Sequence, residues 1–435
     1  MKKIAFLLSI CIMVSLYATG CSPSQDKNEI IQIEYWSIFP VGDPYSEKHD
    51  ELIKKFEADN PNIQIKHFGT NFWDYFSKIR IAQSGGVSPD VSFNDITNVK
   101  FRAKNGVIAP LDSYIQKDKF DVNDFLQVNI EAMSYDNKLF ALPFTGDSRL
   151  LYYNKDHFKA AGLNPENPPR TLEDIEKYAE LLTKYQDDTK KVLLQVGFHP
   201  RLGNNAIQQF VWPQGGSFFD ENGEPTINNP KNVAPLEWWV RMCQKYPVKA
   251  MNAFSSLTSA TKTSPFLQEK VSMIVDGDWL AWDIEKTVPN LNYGVISVPF
   301  TDENYRSTWS GGFTLELSNK AKSEKAKAAW IFIKYLTSFE AQQRLIEYFS
   351  WIPANKKAVA EVLKTANANQ KFILNETKYR KHVDYCEGAP EWWSYVDPQI
   401  GSAESKKKDV KTALDDAQKA LKTAIDNYNI TKGGK

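Results

Sequence analysis

At 435 residues the chain exceeds the size at which a single hydrophobic core stops growing, so two lobes are expected, each with ample apolar side chains to bury. Lysine plus arginine and aspartate plus glutamate balance at 53 each, and no long basic stripe interrupts the sequence, which argues against nucleic acid or an anionic surface as partner and leaves recognition to local chemistry. The 12 Trp, 19 Tyr and 25 Phe are the more informative numbers, because several Trp stand in turn-flanked positions where core packing is not the obvious use.

The chain opens with Lys2-Lys3 and an apolar stretch over residues 4–17, the layout of a secretory signal. A bilayer core needs roughly twenty apolar residues, and this run stops short at Ala18-Thr19-Gly20. Small residues before Cys21 resemble the bacterial lipobox, which implies cleavage there and a lipid on Cys21; Ala18 stands where such boxes usually have Leu. Residues 21–29 are polar and turn-rich, as a flexible tether should be. Next, residues 30–36 read as a strand, 48–59 as a helix ended by Asn60-Pro61-Asn62, and 63–68 as a second strand: a βαβ unit. A helix over 72–84 ends at Gly85-Gly86, and 89–93 is a short strand with Asn94 and Asp95 at its exit. Alternation of this kind predicts a mostly parallel sheet covered by helices, with ligands beyond the carboxyl ends of the strands, where Trp36, Asn94 and Asp95 lie.

Further along, 138–143 and 150–153 read as strands, Thr171 caps a helix over 172–184, and Gly197-Phe198 closes another strand. Asp220-Glu221-Asn222-Gly223-Glu224 lacks the full ligand set of a calcium loop and reads as a hairpin turn. Residues 271–275 and 293–299 are strands, with Asp276-Gly277-Asp278-Trp279 after the first, and Ser310-Gly311-Gly312 leads into a strand over 313–317. Helices are expected over 322–336, 339–349 and 409–428, and the helical patterns holding Trp238, Trp239 and Trp330 put those three in the core. Of four cysteines, Cys11 leaves with the signal and Cys21 takes lipid; Cys243 and Cys386 fit either a disulfide or two buried thiols. No catalytic motif, phosphate loop or Cys/His cluster is present, and the five histidines form no ligand spacing, so no catalytic residue, metal or cofactor is assigned.

Taken in order, several fragments resemble the large extracellular solute-binding family of bacterial ABC importers, which includes maltodextrin and other oligosaccharide receptors. They are Leu52-Ile53-Lys54-Lys55-Phe56-Glu57 with Asn60-Pro61-Asn62-Ile63, Ser88-Pro89-Asp90-Val91, Leu142-Pro143-Phe144, Leu151-Tyr152-Tyr153-Asn154-Lys155, Ala161-Gly162-Leu163 and Pro168-Pro169-Arg170-Thr171. Met273-Ile274-Val275-Asp276-Gly277-Asp278-Trp279, Gly311-Gly312 and Ala328-Ala329-Trp330 continue the series, with Asp278 where the family commonly has Pro. The resemblance implies an α/β, two-lobed periplasmic-binding-protein-like (Venus-flytrap) fold, each lobe a mixed, mostly parallel sheet flanked by helices, joined by hinge strands. It divides the chain into a signal at 1–20, the tether at 21–29, an N-lobe of 30–145 with 301–350, and a C-lobe of 146–300 with 351–430.

By position, the resemblance makes Trp279 a stacking residue and Asp147 a cleft carboxylate, followed by Asn94, Asp95 and Trp36, then Trp309 and Gly312, and Trp392 from a polar loop. Arg149 fits the cleft or a local ion pair equally well. The implied function is capture of a sugar or oligosaccharide by a monomeric lipoprotein on the extracellular face of the cell membrane. Delivery would be to permease subunits served by a separate ATPase. The rivals are a secreted glycoside hydrolase, which needs only two carboxylates about 5–10 Å apart, and a receptor for a peptide or polyamine.

Overall fold

The computed structural model describes residues 30–40, 42–260 and 263–433; the signal, Cys21 and the tether lie outside them. In the first strand, Ile31–Ser37, alternation sends Ile33 and Tyr35 into the core. That strand pairs in parallel with Ile63–Gly69 on one side and Val91–Asp95 on the other. The crossovers are the helices Pro44–Asp59 and Phe72–Ser84. Pro44 opens the first helix while the Asp43 side chain accepts from Tyr45 N at 2.8 Å, so one orphan donor is satisfied where proline lacks one. Asn71 caps the second in the same way, accepting from Asp74 N.

The sheet is completed from far along the chain. Strand Phe313–Leu317 inserts antiparallel between Val91–Asp95 and Ala141–Pro143, giving five strands in all. The buried members of the core on this sheet come from residues 33–144 and 315–349.

The second lobe is built on Arg149–Asn154, flanked by Met273–Gly277 and Tyr293–Ile296. Every residue of the central strand is buried, with Leu151 and Tyr153 in one core and Leu150 and Tyr152 in another, so helices cover both faces. The buried members of these cores come from residues 150–298 and 352–421. Both pairings are antiparallel, which corrects the expectation of a mostly parallel sheet for this lobe. The reason is threading: Arg149–Asn154 carries the chain away from the other lobe, whereas its two neighbours run back toward it. The α/β, two-lobed architecture itself is as expected.

Three segments cross between the sheets, near residues 144–148, 310–312 and 350–355. They are tied together: Phe144 N and Thr145 N both donate to Phe313 O, Thr145 bridges to Pro353, and the Gln342 amide donates to Phe144 O while accepting from Ala354 N. Gly312 has φ +123°, and a Cβ there would lie 2.4 Å from Thr145 O, so only glycine permits this approach.

Other details sharpen or correct the element boundaries. The helix expected over 339–349 is two short helices, Phe339–Gln342 and Leu345–Phe349, and the strand expected over 293–299 ends at Ile296. Residues 220–224 form a tight turn closed by Asp220 N to Glu224 O at 2.9 Å. Cys243 and Cys386 are both free thiols, and Trp238, Trp239 and Trp330 are buried in the cores.

Candidate functional site: an aromatic cleft between the lobes

A cleft of about 620 Å³ opens where the crossing segments meet. From the first lobe it is lined by Tyr45 and Phe72, each placed by the capped helix start described above, together with Phe313 and Trp351. From the second lobe come Trp279 and Arg149, and Trp309 stands on the short strand Thr308–Trp309. Trp279 begins the helix after Met273–Gly277, and a Cβ on Gly277 would fall 2.2 Å from its ring, so the absence of a side chain there lets the indole fold back over the strand end.

Arg149 sits at the centre. Its guanidinium carbon is 4.9 Å from the Trp279 ring centroid and 4.6 Å from that of Trp309, a cation between two indoles. Its Nη1 lies 2.7 Å from Asp147 Oδ1, and its Nε and Nη2 donate to Asn204 Oδ1 at 3.3 and 3.1 Å. Asp147 Oδ1 also accepts from Gly311 N at 2.6 Å, which pins the carboxylate to the returning segment. Asp278, buried behind Trp279, pairs with Arg380 at 3.2 Å, and Arg380 Nε donates to Ser148 Oγ. Burial pushes the Asp278 carboxyl up, against the pull of Arg380. Burial likewise raises Asp276 to about 6. Asp95 is paired with Arg102 at 3.1 Å, and Arg102 is held in turn by the fully buried Glu316.

Three of the lining carboxylates, Asp95, Asp147 and Asp278, are therefore already neutralised by arginines, and the lining arginine is itself paired. What the cleft offers a solute is aromatic surface with fixed polar edges; Asp43 and Asp283 also line it, with no ion-pair partner among the described residues.

Among the positions expected from sequence, Asp95, Asp147, Trp279, Trp309 and Gly312 line this cleft. Asn94 is buried, donates Nδ2 to Glu316, and lines a second cavity of about 400 Å³ that shares Asp95 and Phe76 with the first. Two positions need correction. Trp392 is fully buried in the second lobe, 5.1 Å from the Phe218 ring and donating Nε1 to Asp384 O, so it is a core residue. Trp36 packs on Phe68 at 5.0 Å and against the first core, away from the lining residues, because it projects from the opposite side of the strand to Tyr35. Sequence reasoning missed Tyr45, Phe72 and Trp351; the first two follow the caps Asp43 and Asn71, which were not read from the sequence, and nothing in the sequence sets them facing Trp279.

Comparison with known proteins identifies the family. The profile of the family described as "Bacterial extracellular solute-binding protein" matches residues 51–372. The maltodextrin-binding protein of Bacillus subtilis (strain 168) is 22% identical, with 98% of this chain and 97% of that protein covered. The sn-glycerol-3-phosphate-binding periplasmic protein of Rhizobium meliloti (strain 1021) is 24% identical over 91% of this chain and 94% of its own length. Among solved structures, CpMnBP1 with mannotriose bound superposes with a TM-score of 0.77 at 26% identity, covering 90% of this chain and 100% of that one.

Proposed function

The chain belongs to the bacterial extracellular solute-binding proteins, and from that premise we propose that its interlobe cleft captures a neutral sugar or oligosaccharide for delivery to an ABC permease. It is a binding protein and not an enzyme, as its family and the relatives named for binding indicate. One observation carries the choice of solute: aromatic walls from both lobes enclose a cleft whose arginine and three of whose five carboxylates are already held in ion pairs. A sugar ring has an apolar face of C–H bonds and an equator of hydroxyls, which suits indole and phenyl faces with fixed polar neighbours. Covering one ring face buries on the order of 100 Å², about 2.5 kcal/mol at 25 cal/mol per Å². Two such stacks with a few hydrogen bonds of about 1 kcal/mol each approach the roughly 8 kcal/mol of a micromolar complex.

A phosphate-bearing solute such as the ligand of the Rhizobium relative would need a free cation, yet Arg149 is held by Asp147 and Asn204. A polyamine would need several free carboxylates, and the pairings above use three of the five that line the cleft. Calorimetry against mannose- and glucose-based oligosaccharides, glycerol 3-phosphate and spermidine tests the assignment. Binding confined to the sugars is the expected result, and tight binding of either of the other two with no sugar response overturns it.

An extracytoplasmic location goes with the family. We further propose that Cys21 carries lipid and holds a monomeric receptor at the outer face of the cell membrane, which the signal-like residues 1–20 and the polar tether support. Among the described residues no helix is long and apolar enough to cross a membrane. A Cys21→Ser protein should leave the membrane fraction; its retention there removes the anchor.

A further inference from the structure

Behind the cleft wall, on the first lobe, two histidines and an aspartate converge. His49 and Asp50 are neighbours on helix Pro44–Asp59, and His67 stands on strand Ile63–Gly69. One ring nitrogen of each histidine and a carboxylate oxygen of Asp50 all lie within 4.8 Å of one another. Each imidazole is also held from its far side: His67 Nε2 is 2.7 Å from Ser37 Oγ, and His49 Nε2 is 3.1 Å from Tyr35 OH. Neither hydroxyl engages an Nδ1, and His67 Nδ1 is 3.3 Å from Asp50 Oδ1.

A polar network accounts for His67 but not for His49. His49 is fully buried, and its Nδ1 has no hydrogen-bond partner. An unpaired buried acceptor or donor is destabilising, whereas a Leu or Phe would pack between Phe39 and Tyr35 without that cost. The ring stacks on Phe39 at 4.2 Å, so it is well seated and cannot swing out to reach water.

The geometry points to a divalent transition-metal site formed by His49, His67 and Asp50, of the zinc type with solvent completing the coordination. Two imidazoles and one carboxylate are the donors such ions prefer, and hydroxyls on the distal nitrogens fix tautomer and ring orientation, as outer-shell partners do in metal centres. In the bound form each Nε2–H donates, to Tyr35 and to Ser37. Asp50 is the exposed member and provides the route of entry, its side chain being 41% accessible. The sequence hid the site because its ligands come from a helix and a strand that only the parallel βαβ packing brings together.

The test uses the mature chain stripped by a chelator and titrated with Co²⁺, then Zn²⁺. One equivalent of Co²⁺ should give a visible absorption band that Zn²⁺ displaces, and Zn²⁺ should raise the melting temperature. Asp50→Asn, at an exposed position that leaves folding intact, and His67→Gln should each weaken binding about tenfold or more, while His157→Gln leaves it unchanged. No band at 100 µM Co²⁺, or a band that survives Asp50→Asn and His67→Gln at full affinity in folded protein, overturns the site.

Discussion

At the residue scale, the cleft is governed by Arg149 and the two indoles that enclose it. Trp279→Ala removes one platform for the solute and should weaken sugar binding by an order of magnitude or more in calorimetry, with the fold retained by circular dichroism. Arg149→Met keeps the stem between the rings but leaves Asp147 uncompensated in a nearly closed setting, so stability should fall by roughly 3 kcal/mol in urea unfolding. Adding Asp147→Asn to that variant should restore most of the loss, since the cost is an unpaired charge and not missing packing. Asp276 supplies a pH signature. Its folded-state pKa of about 6 lies above the unfolded value, so the native state holds the extra proton between the two, and stability falls as pH rises from about 4 through 6. The fall is on the order of 2–3 kcal/mol, and Asp276→Asn should flatten it in denaturant curves recorded across that range.

At the scale of elements, much was legible because local patterns and tertiary outcome agree. The alternation of residues 31–35, the Thr171 cap and the Gly85-Gly86 stop all act where the sequence places them, whereas the first helix starts at Pro44, four residues before the expected 48. Strand direction in the second lobe was not legible, since it depends on which way the chain is travelling when it leaves the first sheet. The cleft was half legible for a similar reason. Trp279 follows a strand with a glycine before it, a local signal, whereas Trp392 sits in an equally polar stretch and is drawn inward by Phe218 and Phe219 from a distant segment. Gly312 belongs to this scale too. Gly312→Ala places a Cβ against Thr145 O at a positive φ, and should cost about 1–3 kcal/mol or more in thermal unfolding while slowing or preventing ligand-driven closure.

For the whole molecule, the crossing segments are where the lobes would turn on closure, and the ion pairs Lys104–Glu387 and Arg80–Glu391 join the two sides of the gap. Solute that touches both walls favours whichever arrangement brings them together, so small-angle scattering should show a smaller radius of gyration with saturating sugar than without it. An unchanged radius alongside tight binding would count against closure. The threading that sets this hinge also has a temporal side. Strand Phe313–Leu317 lies between Val91–Asp95 and Ala141–Pro143, so a growing chain that has delivered the first 300 residues still has a gap in the middle of its first sheet. Two strand flanks stay bare until the sheet of the second lobe has been made, and such flanks are templates for pairing with other chains. A fragment ending near residue 300 should therefore aggregate and not fold as a lobe. The first sheet cannot be completed before residue 317 is available, a delay suited to a chain that would cross a membrane before it folds.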